Sequence, residues 1–460
     1  MFGNQKALQR CYDALKFIGV FLERRKRTAS PVRRNRIVPH LGNLKGKVGG
    51  VAGEWPQWIN GFQTYTSNWQ YAKTIIWYLV MNALYLCCCL YIYTTRDYSD
   101  RSMTGIFINA WMVIAPTMVI FILFRCNFSH RSFVKLFKVI AEIFYAENFH
   151  VERAIYSPDV WLAVCLTGTR LTVLYLAVTS VIALEDSFST EGFRLLFDYF
   201  IYYVFMLLCF GLIYSYRFFI GVLTKRFIES SDFLAKFGTS YGSFGTLTEE
   251  YVVNEIYVTA ISTSKRGKPL TIAEKILKDI ENQMVLIDQA LELLEDTYSW
   301  VLIAMSIWYL TDLLFAFYMV MTNFGSNGVS NPTMSFVVIV EGMSILFLIH
   351  NPADTLLEAE EDFLVHLRMF ICHVPDEELS RPNTGLVLAV QRPRSLTLGK
   401  FGTIGRSSFL NTLAFMMSYV VTTIQFYYAA PPAAPTPHVG FINATDLSPP
   451  PMTNSSNYTA

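Results

Sequence analysis

Seven long apolar segments dominate the sequence and constrain what it can fold into. A helix that crosses a bilayer needs about 20 predominantly apolar residues. Only 16% of the residues are charged, against about 25% in an average soluble domain, so ionised groups cannot cover a globular surface. This composition excludes a disordered chain and disfavours a soluble enzyme or a nucleic-acid-binding protein. The segments are Thr74–Thr95, Gly105–Phe124, Val160–Leu184, Leu195–Leu223, Tyr298–Met321, Met334–His350 and Ser408–Tyr428.

The distribution of Lys and Arg predicts which way these segments cross the membrane, because cytoplasmic segments carry the excess of basic residues. With the N-terminus inside, nearly all of the 37 Lys and Arg face the cytoplasm, and the outward segments contain only Arg96, Arg101 and Arg194. Seven spans then place the C-terminus outside. The predicted fold class is an all-α polytopic membrane protein with seven transmembrane helices in this inverted topology and a helical cytoplasmic anchor layer.

The C-terminal tail supports the outward placement of that terminus. It contains Asn-X-Ser/Thr sequons at Asn443, Asn454 and Asn457, which are acceptors for glycans on the lumenal side. Chance occurrence in a tail rich in Ser, Thr and Asn is the alternative. No outward segment contains a cysteine, so an extracellular disulfide is not expected there.

The cytoplasmic segments are long enough to form a layer beneath the membrane. Apolar residues from Ile276 to Tyr298 recur every three or four positions and continue into the fifth span, which predicts one long helix. Gly238–Gly245 is expected to be a Gly/Ser loop, and Thr355–Cys372 a helix that starts after Asn351-Pro352. The predicted organisation is a basic cytoplasmic N-terminal region (1–70), transmembrane helices 1–4 (71–223), a cytoplasmic loop and helical extension (224–297), transmembrane helices 5–6 (298–350), cytoplasmic anchor helices (351–407), a pore-lining helix 7 (408–428) and an extracellular Pro-rich tail (429–460).

Ionisable residues inside the predicted spans mark a candidate ligand site, because an unpaired charge in hydrocarbon costs several kcal/mol. From the helix rise, Glu341 lies about 10 Å, Asp312 about 14 Å and Arg170 about 20 Å from the outer surface. Carboxylates and aromatic rings around an outward-opening cavity suit a polyhydroxylated or cationic small molecule. The alternative is an Arg170–Asp312 pair that only holds two helices together. The candidate ligand-binding residues are Arg170, Tyr175, Asp198, Trp308, Asp312 and Glu341.

One face of the last span is mostly polar. Such a stripe either packs against another helix or faces water, and the same helix from several symmetry-related subunits can enclose a pore. Enzyme motifs and the histidine spacings of metal sites are absent from the sequence, so neither an enzyme nor a cofactor is expected. The stripe consists of Ser408, Asn411, Phe415, Ser418, Thr422 and Gln425.

The last span also carries a recognisable motif. Its residues Ser418 to Phe426 (SYVVTTIQF) resemble the Thr-Tyr, five hydrophobics, Gln-Phe signature that closes insect gustatory receptors. Gly399–Leu410 is similar to that family's approach to its last span, and elsewhere the likeness is architectural. Ser418 replaces the threonine, and Thr422 and Thr423 are polar where hydrophobic residues are usual, which disfavours a simple dewetting gate. The long Pro-rich tail is a further departure from the family pattern.

The resemblance implies a homotetrameric, ligand-gated, non-selective cation channel in the plasma membrane of chemosensory neurons. The seventh helices of four subunits would line the pore, with Ser418 on the pore face, Thr422 at the gate position and Gln425 beside it. The implied partners are a small-molecule tastant (a sugar-like molecule ahead of a bitter compound), permeant cations, membrane lipid and identical or related subunits. The alternatives are a metabotropic G-protein-coupled receptor, which has the opposite topology, and a transporter, although no inverted repeat is found.

Overall fold

The protein is helical throughout the part of the chain that the structure describes. The computed structural model describes residues 2–19, 68–95, 103–145, 168, 170, 190–243, 272–323, 332–373, 395–397 and 402–429. Within these ranges the only β-type pairing is an isolated antiparallel bridge between Thr397 and Thr403. The all-α prediction is therefore confirmed for these ranges. The helices are α1 (Phe2–Phe17), α2 (Asn68–Thr95), α3 (Met103–Phe128), α4 (His130–Tyr145), α5 (Thr190–Ser243), α6 (Ile272–Asn323), α7 (Pro332–His373) and α8 (Arg406–Ala429).

Four of these helices are long and apolar enough to cross a membrane. A fifth span is added if α3 and α4, which meet at a bend of 64°, form one broken span. The predicted third span, Val160–Leu184, lies outside the described residues except for Gly168 and Arg170. The described ranges thus contain four or five apolar spans, and the total of seven stays a prediction. The four apolar segments are Ile75–Thr95, Tyr203–Ala235, Leu277–Met321 and Ser335–Cys372.

The long helix predicted ahead of the fifth span is confirmed, because α6 is one unbroken helix of 52 residues. Its apolar stripe faces the interior, as expected for an amphipathic helix. The buried residues of the stripe are Ile280, Met284, Ile287, Leu291, Leu294 and Tyr298.

The predicted Gly/Ser loop is wrong up to Ser243, because α5 continues as helix to that residue. Extending an existing helix adds one hydrogen bond per residue fixed, whereas starting a new one is costly. The helix therefore continues through Gly238 and Gly242, although each glycine costs about 1 kcal/mol relative to alanine.

The predicted break at Asn351-Pro352 is also wrong, because α7 continues through Pro352 as one helix of 42 residues. A proline in a helix lacks the N–H that would bond to the carbonyl four residues earlier, here that of Leu348. Arg217 of α5 replaces the missing donor, since its Nη1 donates to the Leu348 carbonyl oxygen at 3.2 Å. Tertiary packing thus satisfies the group that the proline leaves without its helical partner.

The end of α1 packs into the bundle between α2 and α5. Gly19 has a φ of +75°, and a Cβ there would lie 2.7 Å from Met81 Cβ, so this close approach requires a glycine. Trp77 Nε1 donates to the Phe17 carbonyl at 3.0 Å, and Tyr85 Oη to the Ile18 carbonyl at 3.2 Å. Within the predicted basic N-terminal region, residues 2–17 therefore form a docked helix.

Candidate functional site

Two buried carboxylates and one arginine meet between α6, α7 and the segment that contains Arg170. Asp312 of α6 is 1% exposed and Glu341 of α7 is 2% exposed. The two helices approach closely here because Gly342 has no side chain; a Cβ at Gly342 would lie 2.8 Å from Leu313 Cγ. The Arg170 guanidinium donates through Nε to Glu341 Oε2. Glu341 is therefore one observed partner of Arg170.

One carboxylate oxygen in this cluster has no hydrogen-bond partner among the described residues. Glu341 and Asp312 are close enough to interact electrostatically, and Arg170 supplies one positive charge for two carboxylates. Glu341 Oε1 is buried and has no hydrogen-bond partner among the described residues. A buried carboxylate oxygen without a partner is costly, so this position is suited to a ligand that donates a hydrogen bond or carries positive charge.

The aromatic residues beside the cluster are part of the packed interior. Trp308 is 0% exposed, and its ring packs edge-on against Phe205 of α5 at 6.2 Å between centroids. The Tyr309 ring stacks on Trp308 at 5.5 Å between centroids, and the Tyr309 hydroxyl donates to Met206 Sδ at 3.0 Å. These contacts fix the wall of the candidate site and connect α6 to α5.

Of the remaining predicted ligand-site and glycosylation residues, only Asp198 lies within the described ranges. Asp198 lies in α5, near its start. Tyr175 and the sequon residues Asn443, Asn454 and Asn457 lie outside the described residues.

The predicted pore residues are exposed on the surface of α8. Ser418, Thr422 and Gln425 are all exposed in the single chain, and Phe415 on the same stripe is 75% exposed. The Thr422 hydroxyl donates to the Ser418 carbonyl oxygen at 2.9 Å. This bond leaves the Thr422 oxygen able to accept a hydrogen bond from water or another group.

A polar clamp, defined here as Arg406 with Asn351, Asp354 and Glu358, joins the start of α8 to α7. The Arg406 backbone N–H donates to the Asp354 carboxylate. The Arg406 side chain donates to Asn351 Oδ1 at 2.9 Å and to Glu358 Oε1 at 2.8 Å. Sequence reasoning missed this clamp, although acceptors at 351, 354 and 358 follow the spacing of one helical face.

Aromatic contacts reinforce the clamp. The Phe409 ring lies 6.1 Å from the ring of Phe347 and 6.1 Å from that of His350, both on α7. The first turn of α8 is thereby held against the same helix that carries Glu341.

Two solved structures and one family model are similar to this chain. The fold is similar to the insect olfactory receptor OR5 from Machilis hrabei, with a TM-score of 0.61 at 11% identity over 92% of this chain and 98% of that chain. It is also similar to that receptor in complex with eugenol, with a TM-score of 0.57 at 12% identity over 92% of this chain and 99% of that chain. No curated protein sequence matches the chain. The model of the 7tm chemosensory receptor family matches residues 58–430, and the chain belongs to that family.

Proposed function

We propose that this protein is a gustatory receptor that acts as a tastant-gated, non-selective cation channel. The observation that carries this proposal is the polar stripe of α8, which is exposed in a single chain of a chemosensory receptor family member. A polar face along a membrane helix needs water or protein against it, and four copies around an axis provide a water-filled pore. The channel would be a homotetramer, or a heteromer with related subunits, in the plasma membrane of chemosensory neurons.

The ligand site of this channel would be the cluster of Arg170, Asp312 and Glu341, opening to the outside. A small polar molecule with several hydroxyl groups can donate hydrogen bonds to the carboxylates without adding a net charge. A sugar-like tastant is therefore the first class to test, followed by bitter compounds. Tyr175 and Asp198 would complete the site, and Trp308 would support it from behind.

The route from this site to the pore would be α7. Glu341 lies ten residues before Asn351, which corresponds to about 15 Å along one helix. At that distance the polar clamp attaches α8 to α7. A ligand that changes the position of Glu341 would thus act on a rigid element already bonded to the start of the pore helix.

Ligand-evoked current tests the proposal. Cells that express only this chain should give inward cation current when sugars, bitter compounds and amino acids are screened. Glu341→Gln keeps the shape of the side chain but removes its charge, and should raise the half-maximal ligand concentration by about tenfold or more, since charged hydrogen bonds contribute about 1.5–3 kcal/mol. The matched control is Glu292→Gln, an exposed carboxylate on the predicted cytoplasmic part of α6.

The outcomes separate the parts of the proposal. A normal dose response in Glu341→Gln would remove Glu341 from the ligand site while leaving the channel function intact. Surface expression without current for any compound, in cells where a known cation channel gives current, would contradict the channel function itself.

A further inference from the structure

Helix α4 has one buried apolar face and one exposed basic face. Phe133, Leu136, Phe137 and Ile140 are buried against the bundle. Arg131, Lys135 and Lys138 are exposed at spacings of four and three residues, so they lie on one side of the helix. The only acidic residue of α4, Glu142, lies one turn beyond Lys138.

These three basic side chains make no ion pair or hydrogen bond with any other described residue. Other cations near the helix ends of the bundle do have such partners: Lys225 lies 3.7 Å from Glu229, and Arg406 pairs with Glu358. The exposed face of α4 is therefore a surface of three positive charges that the described part of the chain does not neutralise.

Two independent contacts locate α4 at the boundary of the membrane. The Phe133 ring lies 5.3 Å from that of Tyr298, the first residue of the predicted fifth span. The Phe137 ring lies 4.9 Å from that of Phe219, one turn inside the predicted end of the fourth span. Both span ends are on the predicted cytoplasmic side, so α4 lies at the level of the inner headgroups.

The geometry of the α3–α4 junction agrees with this level. The two helices meet at 64°, so α4 leaves the direction of α3 just where the apolar segment of α3 ends. Beside the bend, Phe124 and Phe128 are 60% and 70% exposed. Exposed aromatic side chains next to exposed Lys and Arg are the composition of a protein surface at a membrane interface.

We infer that the basic face of α4, formed by Arg131, Lys135 and Lys138, binds the anionic phospholipid headgroups of the inner leaflet. The long side chains would extend from a helix whose apolar face is fixed to the protein, and each would approach a phosphate or carboxylate of a headgroup. The inference that the leaflet is the inner one rests on the predicted orientation of the chain. The charge complementarity itself does not depend on the channel function.

Lipid titration of the purified full chain tests this inference. Native mass spectrometry of the detergent-solubilised protein would compare binding of phosphatidylserine with binding of neutral phosphatidylcholine. Each basic residue near a charged headgroup contributes about fivefold in affinity. The triple substitution Arg131→Gln, Lys135→Gln, Lys138→Gln should therefore weaken phosphatidylserine binding by about tenfold or more, with phosphatidylcholine binding unchanged.

The matched control is Lys278→Gln, because Lys278 is exposed on α6 about 30 Å below the predicted membrane boundary. This control, and Lys135→Arg with Lys138→Arg, should bind phosphatidylserine as the original chain does. If the triple variant aggregates, Lys135→Gln alone should show the fivefold loss.

Three results would overturn the inference. They are unchanged affinity in the triple variant, an equal loss in Lys278→Gln, and equal binding of acyl-free glycerophosphoserine. No tastant or current enters this measurement, so its failure is distinct from failure of the proposed function.

Discussion

At the scale of single residues, burial decides whether a polar side chain needs a partner within the protein. Asp312 and Glu341 are buried carboxylates, so each needs a partner, and the Arg170 guanidinium meets part of that need. Thr422, by contrast, is exposed, and its hydroxyl already donates to its own helix. Its remaining capacity to accept hydrogen bonds suits contact with water in a pore more than contact with lipid.

Thr422→Leu tests whether this residue faces a pore. A leucine at a narrow position facing water would favour dewetting of that position and should lower the ligand-independent current by several-fold. Whole-cell current without ligand, normalised to surface expression, measures the effect. Met417→Leu is the control, because Met417 is exposed on α8 outside the polar stripe. A resting current equal to that of the original chain would argue against a pore position for Thr422.

At the scale of helices, the spacing of apolar residues predicted which segments are helical better than it predicted where each helix ends. The spacing of apolar residues correctly predicted that α6 extends far beyond its span. Pro352 is a strong local signal for a helix boundary, yet α7 passes through it. Local sequence rules consider only hydrogen bonds within one helix. Here the Leu348 carbonyl is satisfied by a hydrogen bond from Arg217, which lies 131 residues before Leu348 in sequence.

A double-mutant cycle on Arg217 and Pro352 tests this account. Arg217→Met removes the donor to the Leu348 carbonyl and should lower the free energy of unfolding by about 1–3 kcal/mol. In a Pro352→Ala background the alanine N–H can bond to Leu348, so the same substitution should cost measurably less. Thermal unfolding is measured for the detergent-solubilised original chain, the two single variants and the double variant. The comparison gives the coupling free energy between positions 217 and 352.

Arg125 provides the control for that cycle. Its Nη2 donates to the Asp296 carbonyl oxygen at 3.1 Å and not to the Leu348 carbonyl, so it shares no acceptor with the residue at position 352. Arg125→Met and Pro352→Ala should therefore be additive. Additivity of Arg217→Met with Pro352→Ala would show that the hydrogen bond does not compensate for the proline.

At the scale of the whole molecule, the long helices α5, α6 and α7 form the centre of the described bundle. α7 makes its most extensive contacts with α5 and then with α6, so it links these two helices. The polar clamp joins the start of α8 to α7, while many side chains along α8 stay exposed. This arrangement leaves much of the α8 surface uncovered by the described part of the chain.

The orientation of the whole chain is testable with terminal tags. In intact cells an antibody should reach a C-terminal tag but not an N-terminal tag, because the basic N-terminal region holds that end in the cytoplasm. Permeabilised cells provide the control for expression of both tags. Substitution of glutamine for Asn443, Asn454 and Asn457 should abolish any shift in electrophoretic mobility that enzymatic removal of N-glycans causes. Staining of the N-terminal tag on intact cells would contradict the inverted topology and favour a metabotropic receptor.

The sequence by itself determined where the chain is apolar, which face of each segment is polar and which ionisable residues lie within the spans. These properties are local, because the cost of burying a charge or a backbone group depends on the residue and its depth. Asp312, Glu341 and Arg170 could therefore be selected as candidates before any contact was known. The polar stripe of α8 and the length of α6 were predictable for the same reason.

Only the tertiary structure decided which of these groups meet. Arg170 bonds to Glu341 across 171 residues, Gly342 sets the approach of α6 and α7, and α1 docks against Met81 and Tyr85. The basic face of α4 is visible in sequence, but the packing of its apolar face is decided by ring contacts with α5 and α6. Such pairings depend on the rotation and translation of packed helices, which residues on one segment cannot specify alone.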